Sequence, residues 1–125
     1  MDEMDILAYV YQHGPVTVGV DSTSWQDYLG TRFENSLKNC HQVNSILHYY
    51  NMSFVPLSAG GIIQHNCLEN LNHAVLIVGY DISGPIPYYI VKNSWGESFG
   101  HDGYVYIRAG MQVCGIQGEV CGASI

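Results

Sequence analysis

Asn72-His73-Ala74-Val75-Leu76-Ile77-Val78-Gly79-Tyr80, followed by Tyr88-Tyr89-Ile90-Val91-Lys92-Asn93-Ser94-Trp95-Gly96, is the pair of runs on which the reading of the fold turns. Each run is apolar, rich in β-branched and aromatic residues, and of strand length. Ala74–Tyr80 has no polar alternation, which reads as a strand buried on both faces. The connector holds Gly84, Pro85 and Pro87, residues that turn a chain. The two runs therefore read as an antiparallel pair. His73 opens the first and Asn93 closes the second. The start of one antiparallel strand lies beside the end of the next, so the imidazole and the amide are expected to meet. Trp95, two residues past Asn93, is placed to cover such a contact.

Upstream, residues 3–12 read as a helix with Met4, Leu7, Ala8 and Tyr11 along one face. His13-Gly14-Pro15 stops it. Val16–Val20 follows as a strand, Ser22-Thr23-Ser24 as a loop, and Trp25–Leu29 as a helical turn. Gly61-Ile62-Ile63 reads as a short strand, Tyr104–Arg108 as another and Val113–Ile116 as the last. One helix followed by sequential strands predicts an α+β unit with a rolled antiparallel sheet or barrel.

The 125 residues suit one domain. Residues 31 to about 60 stand apart: they carry Arg32 and Lys38 against Glu34 in an otherwise acidic chain, and the stretch is long for a connection. The formal net charge of −7, from 4 Lys+Arg against 11 Asp+Glu, argues against nucleic acid and anionic membranes as partners. No apolar run reaches the roughly 18 residues of a membrane span. Met1-Asp2-Glu3-Met4-Asp5 lacks the basic start and apolar stretch of a secretory leader. Cys40, Cys67, Cys114 and Cys121 form no C-x-x-C pair and share no close spacing with histidine, so no metal or other cofactor is expected. Free buried thiols and a disulfide both remain open for them.

A histidine held by an asparagine is suited to activating a thiol. The amide oxygen orients the ring and leaves the imidazole free to carry charge beside a thiolate. The paired motifs N-H-A-V-L-I-V-G-Y and Y-Y-I-V-K-N-S-W-G-x-x-x-G-x-x-G-Y resemble the C-terminal half of the papain family of cysteine peptidases. The likeness covers residues 3–30 and 61–118, and the segments 24–30 and 61–67 narrow it to a cathepsin-type member. It implies a papain-like C-terminal domain, interrupted at about 31–60 by an insertion unlike the family, which is either a genuine loop or retained intron sequence.

The resemblance also implies roles. His73 is the general base, Asn93 its orienter and Trp95 their shield. The Asn72 carbonyl holds the substrate chain. Cys67 and Cys114 form a disulfide. Gly19 lines the main specificity pocket and Glu119 lies near its floor, favouring a basic side chain at P2. The implied substrate is a peptide or protein, and the implied location is lysosomal or extracellular.

Phe99 stands where the family usually has a second tryptophan, and the sequence after Ile116 drifts from the family pattern. The family's cysteine lies in a C-G-[SA]-C-[WY] motif about 130–150 residues before the histidine. Only 72 residues precede His73, and the motif is absent. The expectation is therefore a cysteine-type endopeptidase domain that needs an N-terminal peptidase half to supply its nucleophile. The alternative is an inactive fragment or isoform that binds peptides or a peptidase partner.

Overall fold

A computed structural model describes residues 2–28, 61–64 and 67–122. The stretch set apart at 31–60 lies outside the described residues. Helix α1 (Glu3–His13) begins with a reciprocal cap. The Asp2 carboxylate accepts from the Asp5 amide at 2.9 Å, and the Asp5 carboxylate accepts from the Asp2 amide at 3.2 Å. Gly14, at φ 93°, ends the helix by donating its amide to the Val10 carbonyl at 3.1 Å.

The buried face of α1 is Glu3, Ile6 and Val10, not the predicted Met4-Leu7-Ala8-Tyr11 stripe. Met4 and Tyr11 are 73% and 79% exposed. Two apolar stripes compete on this helix, and a carboxylate chooses between them. Glu3 is buried, and its carboxylate accepts from the Gly110 and Gln112 amides and, at 3.0 Å, from the Tyr89 hydroxyl. A pattern that counts glutamate as a surface residue selects the opposite face.

Among the described residues, six strands form one sheet in the order β2-β5-β4-β3-β1-β6. They are β1 (Val16–Val20), β2 (Ile62–Ile63), β3 (His73–Asp81), β4 (Tyr88–Lys92), β5 (Tyr104–Arg108) and β6 (Val120–Gly122). The β3–β4 pair is antiparallel as expected, with a register shift between Ile77 and Gly79. β2 runs parallel to β5, so the sheet is mixed, and β2 and β6 are its two edges, so it is open rather than closed into a barrel. The core lies between α1 and the sheet face that carries Val16, Val18, Val20, Val75, Ile77, Tyr89, Val91, Val105 and Ile107.

Val113–Ile116, read from sequence as the last strand, is instead a 3-10 turn at Val113–Gly115. Gln112 and Cys114 both adopt left-handed backbone there, at φ 53° and 59°. The Cys114 carbonyl leaves strand geometry to accept from the Asp21 amide at 2.9 Å. The last strand is β6, six residues further on, which pairs with β1.

The turn Gly100–Gly103 explains the glycines of the G-x-x-G motif. Gly100, Asp102 and Gly103 have φ of 52°, 51° and 94°. A Cβ on Gly100 would lie 2.3 Å from the Tyr104 carbonyl oxygen and 2.8 Å from the Tyr28 ring. The turn presents the Gly103 carbonyl to the Asn93 amide at 3.1 Å, so it anchors the residue that follows β4. Gly100→Ala combines strained backbone with a backbone clash and is expected to cost about 3 kcal/mol or more. Gly84→Ala, which meets nothing within 4 Å, is expected to stay within about 0.5 kcal/mol of wild type. Urea denaturation of the two variants checks both values.

Candidate active site

β3 begins at His73, opposite Val20 of β1, and β4 ends one residue before Asn93. The two side chains meet as the antiparallel reading expects, with His73 Nε2 2.7 Å from Asn93 Oδ1. Asn93 is only 8% exposed. The orientation of its amide follows from a second contact, because Oδ1 also accepts from the Ser94 amide at 2.9 Å. Flipping the amide would set NH2 against that N–H. The atom facing His73 is therefore an acceptor, so Nε2 carries the imidazole proton and donates it, and Nδ1 keeps its lone pair. Asn93 Nδ2 is buried without a partner among the described residues.

Three aromatic rings surround this pair. Trp95 stacks on the His73 ring at 5.2 Å and 30°. It is 41% exposed, so it stands between the hydrogen bond and water. Phe99 meets Trp95 edge-on at 5.0 Å, so the residue that departs from the usual family tryptophan still braces the shield. Trp25, fully buried, meets His73 edge-on at 6.0 Å and Trp95 at 6.1 Å. The apolar enclosure strengthens the His73–Asn93 hydrogen bond by lowering the local dielectric.

Trp25 lies in a 3-10 turn, Thr23–Asp27, that overlaps the helical turn expected from Trp25 and begins inside the expected loop Ser22–Ser24. Asp21 leaves β1 with its side chain 1% exposed. Its Oδ1 accepts from the Thr23 amide at 3.0 Å and from Asn72 Nδ2 at 3.4 Å, and its Oδ2 accepts from the Asn70 amide at 3.2 Å. Thr23, through its side chain and amide, pulls the Asp21 carboxyl below its ordinary value, with Asn70 and Asn72 adding to it against the effect of burial. Asn72 Oδ1 accepts from the Ser22 amide at 3.0 Å and hydroxyl at 3.2 Å, and Asn72 Nδ2 donates to Thr23 Oγ1 at 3.0 Å. The Asn72 amide donates to the Val20 carbonyl at 3.1 Å. The available sequence signal was Asp21-Ser22-Thr23-Ser24, a run of short polar residues that bond to nearby backbone.

Gly19 and Glu119 meet beside β1. The Gly19 amide donates to the Glu119 carbonyl at 2.8 Å, and a Cβ on Gly19 would lie 3.2 Å from Glu119 Cβ. With Leu71, Asn72, His73, Ala74 and Cys121 among others, they line a cavity of about 390 Å³. Cys67 and Cys114 form a disulfide, and Ser24 Oγ lies 3.6 Å from Cys67 Sγ. Cys121 is free and exposed. It pairs with Thr17, whereas His73 pairs with Val20 three positions along β1. Cys121 and His73 both line the cavity beside Glu119. Among the described residues, no group of three or more His, Cys, Asp or Glu is placed to hold a metal ion, and no helix is long and apolar enough to cross a membrane.

This geometry accompanies a family match. The papain family cysteine protease model matches residues 31–124, a span that includes the stretch set apart in the sequence. The chain belongs to the papain family and forms a papain-type peptidase domain. Among characterised relatives, human cathepsin O is 43% identical over 108 residues, covering 86% of this chain and 24% of that protein. Mouse cathepsin O is 39% identical, covering 94% and 28%. Digestive procathepsin L 3 of Tenebrio molitor superposes with a TM-score of 0.71 at 28% identity, over 99% of this chain and 32% of that one. Bromelain from Ananas comosus, solved with the E64 inhibitor, superposes with a TM-score of 0.62 at 27% identity, over 92% and 42%. The chain thus spans about a quarter of the length of the cathepsin O relatives.

Two outcomes are expected. Asp21 titrates below its ordinary value of 3.8. A depressed carboxyl stabilises the fold above its unfolded value and ceases to do so as pH falls through the folded one. Stability measured by denaturation is therefore expected to fall with pH below about 3.8, and less steeply in Asp21→Asn. Reducing the Cys67–Cys114 bridge, with its sequence separation of 47, is expected to cost about 4 kcal/mol on the chain-entropy view. Urea melts with and without reductant measure that loss.

Proposed function

We propose that this chain supplies the base and its orienter, His73 and Asn93, to a papain-type cysteine endopeptidase whose nucleophile comes from an N-terminal peptidase half. The carrying observation is the 2.7 Å contact from His73 Nε2 to Asn93 Oδ1, with the amide orientation fixed by Ser94. It leaves Nδ1 as the ring nitrogen able to take a proton.

In this reading Nδ1 accepts the proton of the cysteine thiol. The thiolate attacks the peptide carbonyl carbon, and the resulting imidazolium returns the proton to the departing amine, leaving a thioester. Water, deprotonated at Nδ1, then releases the acid and restores the thiol. Asn93 holds the ring through these proton transfers, and Trp95 keeps water from the hydrogen bond that holds it. The Asn72 carbonyl binds the substrate backbone. The Gly19–Glu119 cavity takes the P2 side chain, where an uncompensated carboxylate favours lysine or arginine. A lysosomal or secreted location fits an enzyme of this kind.

An epoxysuccinyl thiol probe tests the reading. The 125-residue chain alone is expected to remain unlabelled. Joined to a papain-type N-terminal half it is expected to label, with His73→Ala lowering the rate by about 10²–10⁴-fold. Labelling of the isolated chain, or labelling of the joined protein that ignores His73→Ala, would refute it. In the joined protein, Glu119→Ala is expected to reduce the preference for arginine over leucine at P2 by about 10- to 100-fold.

A further inference from the structure

Asp21, Ser22, Thr23 and Trp25 each touch the approach to His73 or the ring itself. Ser22 and Thr23 hold the Asn72 side chain, Ser24 lies against the disulfide, and Trp25 meets the imidazole edge. Asp21 is the buried carboxylate among them. Its carboxylate gathers three donors, and its own amide donates to the Cys114 carbonyl at 2.9 Å. Two of those donors, the Asn70 amide and Asn72 Nδ2, belong to the residues that lead into His73.

We propose that Asp21 is a positioning residue for His73: its carboxylate fixes the Asn70–Asn72 approach so that the imidazole enters with Nε2 aimed at Asn93 Oδ1. Asp21 touches no reacting atom and acts only through the backbone and side chain of that approach. The chemistry calls for a carboxylate. Its two oxygens are both acceptors, and donors reach both of them. An asparagine keeps one oxygen and turns an NH2 toward a donor on the other side. The carboxylate itself is 1% exposed, so its loss removes a charged acceptor from all three donors at once. The 2.7 Å His73–Asn93 bond is sensitive to such a loss, since neither partner comes from the same strand. A small displacement of the β3 entry moves the ring relative to Asn93, whose own anchor is the Gly103 carbonyl.

This proposal rests on the reading of His73 as the base, and the full 125-residue chain allows the two to be tested separately. Nitrogen NMR of the histidine rings reports which ring nitrogen carries the proton and how fast that proton exchanges. His73→Gln identifies the His73 signals, and Asn93→Ala shows an imidazole that is not held. Wild type is expected to show a persistent Nε2 proton. Asp21→Asn is expected to speed its exchange about tenfold, the loss of roughly one hydrogen bond's net contribution. Asp21→Ala is expected to move the ring further toward the Asn93→Ala pattern.

Glu3→Gln is the control for a purely structural effect, because Glu3 is also a buried carboxylate gathering backbone amides, but at Gly110 and Gln112. It is expected to lower the melting temperature and leave the His73 ring signals as in wild type. Wild-type ring signals in both Asp21 variants, or an equal response in Glu3→Gln, would overturn the positioning role alone. Absence of the Nε2 proton in wild type would overturn that role together with the reading of the base. If Asp21→Ala fails to fold, the isosteric Asp21→Asn decides.

Discussion

The orientation of one amide governs the candidate site. Asn93 Oδ1 accepts from both the Ser94 amide and His73 Nε2, so a backbone N–H next door determines which end of the side chain faces the ring. That choice sets the imidazole tautomer, and the tautomer sets which nitrogen is free to act as a base. Keeping the amide in place takes a large share of the fold. β3 and β4 bring the two residues together, the Gly100–Gly103 turn anchors the Asn93 backbone, and the Trp25–Trp95–Phe99 rings exclude water. The cost is visible on the other end of the same amide, where Nδ2 is buried with no partner among the described residues.

Much of this was legible in the sequence because the relevant physics is local. Strand runs bounded by glycine and proline reveal themselves by composition, and a residue at a strand end has a predictable neighbour across an antiparallel turn. His73, Asn93 and Trp95 come together for that reason. Three features were misread or missed, each for a non-local reason. The α1 face is chosen by Glu3, whose carboxylate is satisfied by amides more than a hundred residues away in sequence. The expected strand at Val113–Ile116 is a turn because Cys114 is tied to Cys67 and its carbonyl is taken by the Asp21 amide. Asp21 itself looks like an ordinary polar residue in a loop, and only the three-dimensional approach of Asn70 and Asn72 gives it a role.

Buried carboxylates recur in these corrections. Glu3 and Asp21 are both almost fully enclosed, and both meet backbone amides rather than a cation. A chain with 4 Lys+Arg against 11 Asp+Glu has few cations with which to neutralise acids. Amide donors satisfy a carboxylate's lone pairs without requiring a second desolvated charge. They also bind it to particular stretches of backbone. The same interaction that makes burial tolerable thus joins segments distant in sequence: α1 to the end of β5 in one case, and the exit of β1 to the entry of β3 in the other.

The β1–β3 pair places the imidazole and the cavity side by side. Val20 pairs with His73, and Gly19 pairs with Ala74. One step along the pair changes the face of the sheet. Val20 belongs with the core, and Gly19 and Ala74 line the cavity beside Glu119, while His73 both meets the aromatic enclosure and lines that cavity. Glu119 takes no part in the contacts that orient the imidazole, so a substitution there alters what the cavity accepts and leaves those contacts in place. In the proposed enzyme, side-chain preference and proton transfer are built on the same two strands and meet where His73 lines the cavity. Asp21 sits where those strands are joined at the entry to His73, and its hydrogen bonds hold the approach that both functions share.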